Sequence, residues 1–296
     1  PRAGRGVDAV CVALALGLLA LLLGLSAWLW RAQPPLLLAP AIGGLGDCLA
    51  LAAPAAPLEP ACTGARSSAA ARIDSALDAL GPRRSADGRF ELGYTLVVPL
   101  LNLFQPQGAG WAIDAEAVQR IARTVQDVQR PVVLYLFSTH FSENAPIEPE
   151  LAQDAANLAA TPQGPLPVDR YLGGAMYPWS IARFDNAVTR RREQAVDAVV
   201  GAICALPAAA RARIAGVNLL GEVHHLYPDF QAGMGYGRPY VVSDYSDASR
   251  RGFRAWLQRR FGSVAALNAA LGASFASFDQ LEPPSRDIRR QPLDHF

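Results

Sequence analysis

The chain has 296 residues, is 51% apolar and carries a formal net charge of +1, so it can bury a substantial core and offers no basic surface for nucleic acid. All 27 basic residues are arginine, which together with the abundant alanine indicates a bias in genomic base composition rather than a function. Because the sequence starts at Pro1 and stops at Phe296 without a closing element, we expect an amino-terminal fragment of a longer protein.

The first predicted element is an uncharged apolar segment of 22 residues, from Ala9 to Trp30. At about 1.5 Å per residue a helix of this length spans roughly 33 Å, which is about the hydrocarbon thickness of a bilayer. Arginines flank it, and two tryptophans lie at its far end, where interfacial aromatics belong. The pattern predicts a cytoplasmic stub (1–8), a single-pass inner-membrane anchor (9–30), a linker (31–35) and a domain on the periplasmic or extracellular side. A cleaved signal peptide is the alternative.

The cysteines outside this segment fall in two environments. Cys48 and Cys62 flank a loop rich in proline and alanine, and an oxidising compartment permits a disulfide between them. Two free thiols are the alternative. Cys204 lies among apolar positions of a predicted amphipathic helix, so we expect it in the core. No cysteine and histidine spacing indicates a structural zinc site.

Residues 36–296 are predicted to form one domain in which strands and helices alternate. The predicted strands are Leu36 to Ile42, Tyr94 to Val98, Val132 to Phe137 and the apolar segment from Ile214 to Leu220. The predicted helices cover 67–80, 114–128 and 186–206, with Ser67 or Ser68, Asp114, and Asp185 or Asn186 at their starts. Repeated βα units predict an α/β fold with a parallel sheet. Four units make half of an eight-stranded barrel, and a doubly wound sheet is the alternative. Because no GxGxxG follows a strand, no dinucleotide cofactor is expected.

Polar residues follow the fourth predicted strand at once. Gly221 breaks the apolar run and Glu222 and His224 come next, at the carboxyl end where α/β folds carry their reactive groups. Strand alternation places Asn218 and Glu222 on one face. We therefore predict Glu222 as the principal catalytic residue and Asn218 and His224 as substrate-binding residues. A carboxylate paired with a nearby arginine is the alternative for Glu222.

Three further positions are candidates for substrate binding. His140 follows the third predicted strand, although one histidine at a strand end is often only a hydrogen-bonded structural residue. Trp179 ends a long proline-rich connection whose aromatic and acidic side chains suit a sugar cleft, unless they pack loosely over the rim. Tyr236 and Tyr245 lie in the glycine-rich stretch after Glu222, and Tyr245 is equally well placed to orient the next helix.

A helical hairpin is predicted after this stretch, with Phe253, Trp256 and Leu257 facing inward, a second helix starting at Ser263 and a stop at Gly272. This segment resembles the one that follows the acid/base strand in family 42 glycoside hydrolases, the β-galactosidase type. The resemblance rests on Phe253-Arg254, Trp256-Leu257, Phe261-Gly262, Leu267-Asn268, Phe275 with Phe278, and Pro283-Pro284.

The resemblance implies a (β/α)8 TIM barrel of which about the first half is present, with a retaining mechanism in which two carboxyl groups about 5 Å apart flank the glycosidic bond. Glu222, on the fourth strand, would be the general acid/base, and the nucleophile would lie on a seventh strand, beyond Phe296. The sequence departs from the clan at Gly221, where an asparagine usually contacts the sugar, and it lacks the zinc-binding cysteine cluster of some members.

Three functions are compatible with these patterns. The leading one is a membrane-anchored retaining glycoside hydrolase acting on an oligo- or polysaccharide, with no cofactor and no nucleic-acid partner. The second is a non-catalytic carbohydrate-binding barrel subunit of an export or cell-envelope system, favoured by Gly221. The third is a zinc site of Glu222, His140, His224 and His225, but adjacent histidines of an extended chain point to opposite faces.

Overall fold

The computed structural model of the chain describes residues 14–26, 34–42, 45, 67–137, 145–171, 174–180, 183–221 and 244–284. The strands are β1 (Leu36–Leu38), β2 (Phe90–Leu92), β3 (Tyr94–Pro99), β4 (Phe104–Gln107), β5 (Gly110–Ile113), β6 (Val132–Phe137), β7 (Ala160–Thr161), β8 (Gly164–Pro165), β9 (Asp169–Tyr171), β10 (Gly174–Met176) and β11 (Ile214–Gly221). After a helical segment at 14–26, the α-helices are α1 (Ala70–Leu80), α2 (Ala115–Asp127), α3 (Glu148–Leu151), α4 (Ala187–Cys204), α5 (Ala208–Arg211), α6 (Asp247–Phe261) and α7 (Val264–Leu271), with short 3-10 helices at Leu100–Leu103, Ala155–Asn157 and Phe278–Gln280.

The centre of the fold is a parallel sheet whose strands follow one another in chain order. Strand β6 pairs in parallel with β3 on one side and with β11 on the other. Strand β1 pairs in parallel with β2, and a parallel bridge from Ala41 to Thr95 carries this pairing on to β3. The four predicted strands therefore lie side by side in parallel, as expected for an α/β fold. Within the described residues the sheet does not close into a barrel.

One face of the sheet is covered by helices, and this face carries the core. In β3 and β6 the side chains of Leu96, Leu134 and Leu136 alternate with half-buried residues and are themselves buried. They pack in one cluster with the inner sides of α1, α2 and α4, which contribute Ile73, Leu77, Ile121, Val125, Val188, Val199 and Ile203. We call this the helix-covered face and the opposite one the open face.

The helix starts confirm two of the three capping predictions. The Asp114 carboxylate accepts from the Ala117 N–H at 3.0 Å, and the Asn186 side chain accepts from the Thr189 N–H at 3.0 Å. Helix α1 differs, because Ala69 is its capping residue and its N–H donates instead to the Thr124 hydroxyl on α2 at 3.0 Å. The start of α1 is thus held by a tertiary contact that the sequence did not indicate, and also by the Ser68 hydroxyl, which accepts from the Ala70 N–H at 3.4 Å.

The amino ends of the sheet are held by one arginine and one glycine. Arg213, just before β11, donates to the carbonyl oxygens of Val125 and Gln126 at 3.2 and 2.8 Å, at the end of α2 where helix carbonyls lack partners. Gly93 joins β2 to β3, and a Cβ there would lie 2.3 Å from the Pro131 carbonyl oxygen. Only glycine allows the strands to approach this closely.

The carboxyl-terminal helices form a smaller unit with its own core. Helix α6 is capped by Ser246 and α7 by Ser263, and Gly272 ends α7 with φ +61°, as predicted for the hairpin. The buried residues of this core are Leu257, Leu267 and Leu281. The prediction that Trp256 faces inward is wrong, because 42% of it is exposed beside the core.

Two other predictions have different outcomes. Cys204 was expected in the core but is exposed, since α4 buries Ile203 and the last turn of the helix rotates Cys204 toward solvent. Residues 14–26 of the predicted anchor form a helix with exposed leucines. Among the described residues, no helix is both long and apolar enough to span a bilayer. Residues 9–13 and 27–30, like Cys48 and Cys62, lie outside the described residues.

Candidate active site

The open face of the sheet offers polar and aromatic groups near the carboxyl ends of its strands. In the parallel register Asn218 lies beside Tyr135, and Tyr135 lies beside Val97. Because neighbouring residues of a parallel sheet point to the same side, these three side chains share the open face. Asn218 is exposed, and the ring of Tyr135 is 5.6 Å from that of Phe137. An exposed amide beside aromatic rings is a surface on which a sugar can bind.

The end of β11 carries an irregularity next to the predicted acid. The register between β11 and β6 shifts between Leu219 and Gly221, so that Gly221 pairs with Phe137. Such a bulge re-aims the residues that follow and is frequent beside active sites. The shift lies at the end of β11, directly before the position of Glu222 in the sequence.

Several predicted site residues belong to the parts of the chain that the structure does not describe. Glu222, His224, Tyr236 and His140 lie outside the described residues, as does His225 of the zinc hypothesis. Among the residues that the structure describes, no cluster of histidine, cysteine and acidic side chains is arranged to hold a metal ion. In the sequence, Glu222 directly follows Gly221, the last residue of β11.

Trp179 is placed in a buried stack rather than on an open surface. Its ring lies 5.1 Å from that of Tyr177 at an interplanar angle of 22°, and only 6% of the residue is exposed. Burial raises the pKa of the Tyr177 phenol, and the nearby Glu148 carboxylate raises it further. The stack therefore packs within the connection between β6 and α4.

Tyr245 and Asp244 tie the start of α6 to this connection. The Asp244 carboxylate accepts from the N–H groups of Ala160 and Ser246, both at 2.8 Å, and from the hydroxyls of Ser180, Ser246 and Ser249 at 2.9 to 3.1 Å. The Tyr245 N–H donates to the Ala160 carbonyl at 2.7 Å. Asp244 is therefore the acceptor that joins the start of α6 to the connection. The structure gives it five hydrogen bonds across two segments.

A cavity of about 820 Å³ lies beside this junction, between the β7–β8 hairpin and the first turn of α6. Its lining includes Tyr245, Thr161, Arg250 and Glu282, but Asn218 and Trp179 are not among the described lining residues. Glu282 accepts hydrogen bonds from Arg250, and this contact and the charges of Arg250 and Arg254 lower the pKa of its carboxyl. Tyr245 thus lines a different surface from Asn218, and the described residues do not bring the predicted binding set together.

Tyr135 is a candidate that sequence reasoning missed. It was assigned only to a buried strand, because its neighbours in β6 are apolar. Alternation along β6 already separates Tyr135 from Leu134 and Leu136, but the register that sets it beside Asn218 depends on the pairing of strands about 80 residues apart in the chain. That register is a tertiary feature, and the order of residues in either strand does not encode it.

The parallel sheet and the helices around it make this an α/β protein, and a family model matches its carboxyl-terminal part. Residues 235–295 match the family model of glycoside hydrolase family 42, described as Beta-galactosidase. The predicted resemblance to this family is thereby confirmed over that segment. No curated protein sequence matches the chain significantly.

Among solved structures, the chain is similar to the catalytic domain of beta-amylase from Paenibacillus polymyxa, with 18% sequence identity and a TM-score of 0.41. The similarity covers 64% of this chain and 45% of that one. The chain thus spans less than half the length of the structure that it matches.

Proposed function

We propose that the protein is a retaining glycoside hydrolase of the β-galactosidase type that acts on an oligo- or polysaccharide. The observation that carries this proposal is the family match over residues 235–295, which begins shortly after the strand that precedes Glu222. The order of the parallel strands supports the first half of a (β/α)8 barrel, in which β11 is the fourth strand. Asn218 and Tyr135 supply a sugar-facing surface on the open face.

In the proposed reaction Glu222 protonates the glycosidic oxygen as the bond to the anomeric carbon breaks, and a second carboxylate forms the covalent intermediate. Glu222 then removes a proton from the water that hydrolyses this intermediate. An acid that works near neutral pH needs a raised pKa, which a partly apolar site provides.

We also propose that the apolar segment 9–30 is a membrane anchor and that the hydrolase domain lies on the periplasmic or extracellular side. The helix at 14–26 exposes its leucines, which supports contact between this helix and an apolar environment.

The test is the Glu222→Gln variant of the full-length protein, assayed on a β-galactosyl disaccharide and on an aryl galactoside with a dinitrophenyl leaving group. We expect hydrolysis of the disaccharide to fall by about 10²- to 10⁴-fold, because a sugar alkoxide leaves only when protonated. The first step with the aryl substrate should change far less, because dinitrophenolate leaves without a proton. Glu116→Gln, an exposed position at the start of α2, is the matched control and should stay within about twofold. Unchanged turnover of the disaccharide by Glu222→Gln would contradict the assignment.

A second candidate function is a non-catalytic carbohydrate-binding subunit of an export or cell-envelope system. Gly221 favours it, because the residue directly before the predicted acid lacks the side chain that would hold the sugar. The two proposals separate in one measurement: full-length protein that binds a galactan and releases no sugar from it over long incubation is a binding subunit. Measurable release, lost in Glu222→Gln, identifies the enzyme.

A further inference from the structure

A second cavity lies on the other side of the sheet from Asn218. It has a volume of about 560 Å³ and is bounded by α4 and by Leu219 of β11. Leu219 pairs with Leu136 and therefore points to the helix-covered face, away from the candidate active site. A volume of this size accommodates a ligand of one or two sugar rings. The cavity is thus a separate site from the open face.

The deepest charged group of this cavity is the guanidinium of Arg192 on α4. Only 6% of this residue is exposed, and its Nε is buried without a hydrogen-bond partner among the described residues. The buried Glu148 is the acidic group that acts on it, but burial outweighs this attraction and lowers the pKa of Arg192 to about 10. A buried cation with an unsatisfied N–H is costly unless an anion or an acceptor is supplied.

The other charged residues of the lining are more exposed than Arg192. Arg183 also lines the cavity, and its guanidinium donates to the Asp185 carboxylate at 2.8 and 2.9 Å. Glu193 and Asp197 also line the cavity but are exposed, so water weakens their charges without cancelling them. Phe184, 84% exposed, adds an aromatic ring at the opening. The positive charge is therefore deep and the negative charges are at the rim.

We propose that this cavity binds a small sugar acid, with its carboxylate on Arg192 and its ring against Phe184. A planar carboxylate matches the two-pronged geometry of a guanidinium. A sugar phosphate is disfavoured, because its second negative charge meets the repulsion of Glu193 and Asp197. The site goes beyond the proposed hydrolysis and does not depend on it, since binding is measured without turnover.

The first experiment is calorimetric titration of the full chain with galacturonate, galactose and galactose 1-phosphate. We expect galacturonate to bind at least tenfold more tightly than either of the others. Equal binding of galactose and galacturonate would overturn the proposal, because the charge would then play no part. Tighter binding of the phosphate than of the uronate would overturn the choice of a carboxylate ligand.

Variants then locate the binding. Arg192→Met, similar in length and uncharged, should weaken galacturonate binding at least tenfold, while Arg259→Gln, an exposed position on α6, should leave it unchanged. Glu193→Gln should tighten binding two- to threefold by removing rim repulsion, which keeps the proposal testable where Arg192→Met fails to fold. Glu222→Gln should bind galacturonate like the wild type. Loss of binding in Glu222→Gln would move the ligand to the active site and overturn the proposal.

Discussion

The parallel sheet and the carboxyl-terminal hairpin are stabilised in different ways. The sheet has one continuous core, in which the helix-covered face of β3 and β6 packs against three helices. The hairpin has a small core of Leu257, Leu267 and Leu281 surrounded by half-buried aromatic residues. Its shape depends instead on specific polar contacts, such as the pair in which the Asn268 side chain both donates to and accepts from the backbone of Phe275, each at 2.9 Å.

This difference explains why the family resemblance lies in the hairpin and not in the sheet. Many combinations of valine, leucine and isoleucine build a buried strand, so the sheet keeps only a generic pattern. In the hairpin, Leu267 fills the small core, Asn268 fixes the loop to Phe275, and Arg254 donates to the Leu281 carbonyl at 2.8 Å. Each of these residues has a role that few other residue types can fill, and a motif survives there.

The largest effects should come from emptying the two cores separately. We call the parallel sheet and the helices α1, α2 and α4 that pack on it the sheet unit. Leu136→Ala should lower the free energy of unfolding of the sheet unit by about 3 kcal/mol, because it removes most of a buried side chain. Leu267→Ala should cost about 2 to 3 kcal/mol but only in the hairpin, where protection of α6 and α7 amides is lost first.

Hydrogen exchange measured by mass spectrometry separates the two responses. Helix α2 should keep its protection in Leu267→Ala and lose it in Leu136→Ala. If Leu267→Ala speeds exchange in α2 and α6 equally, the two regions unfold as one unit and the comparison fails.

The link between the regions should be almost as sensitive. Asp244→Ala removes five hydrogen bonds to a carboxylate that joins the start of α6 to Ala160 and Ser180, and we expect about 2 to 3 kcal/mol less stability for the docked hairpin. Asp247→Ala is the matched control: it lies three residues further on with its side chain 81% exposed, and should change stability by less than about 0.5 kcal/mol.

Limited proteolysis of the stretch before α6, together with thermal unfolding, checks the effect of Asp244→Ala. Equal cleavage rates for Asp244→Ala and Asp247→Ala would show that the carboxylate does not hold the hairpin.

The sequence predicted local elements well and their contacts poorly. The strands β6 and β11 and the caps Asp114, Asn186 and Ser263 follow from apolar runs and capping residues, which are local signals. The Asp244 junction and the pairing of Asn218 with Tyr135 depend on residues distant in the chain. Cys204 was misplaced for the same reason, since one helical position decides whether a residue meets the core or the solvent.

A smaller effect of opposite sign is expected in the sheet unit. The Tyr94 hydroxyl is fully buried and has no hydrogen-bond partner among the described residues. Tyr94→Phe removes this uncompensated polar group and should stabilise the sheet unit by up to about 1 kcal/mol. Urea unfolding at neutral pH measures the change, and a loss of more than about 1 kcal/mol would mean that the hydroxyl has a partner.

The same variant has a predicted pH dependence. Burial raises the pKa of Tyr94 above its ordinary value, so the folded state keeps this proton at a pH where the unfolded chain releases it. The contribution to stability is therefore complete below about pH 10, the unfolded pKa, and is lost as the pH rises above it. Tyr94→Phe should flatten the fall in stability between about pH 10 and 11, and an unchanged slope would exclude Tyr94 as its source.

The smallest effect should come from the ion pairs on the hairpin surface. Glu282 accepts from Arg250 and Arg254, which lowers the pKa of its carboxyl, but its side chain is 43% exposed and water screens the pair. Glu282→Gln should therefore cost the hairpin only about 0.5 kcal/mol.

The contribution of Glu282 also depends on pH. Because the pKa of its carboxyl is lower in the folded state, this contribution is present above the unfolded pKa of about 4.3 and is lost as the pH falls below it. Chemical unfolding at pH 7 and pH 3 should show a difference between wild type and variant only at pH 7, and one that shrinks in 1 M salt. A difference as large as that for Asp244→Ala would mean that the arginine contacts within the hairpin stabilise it as much as the Asp244 junction does.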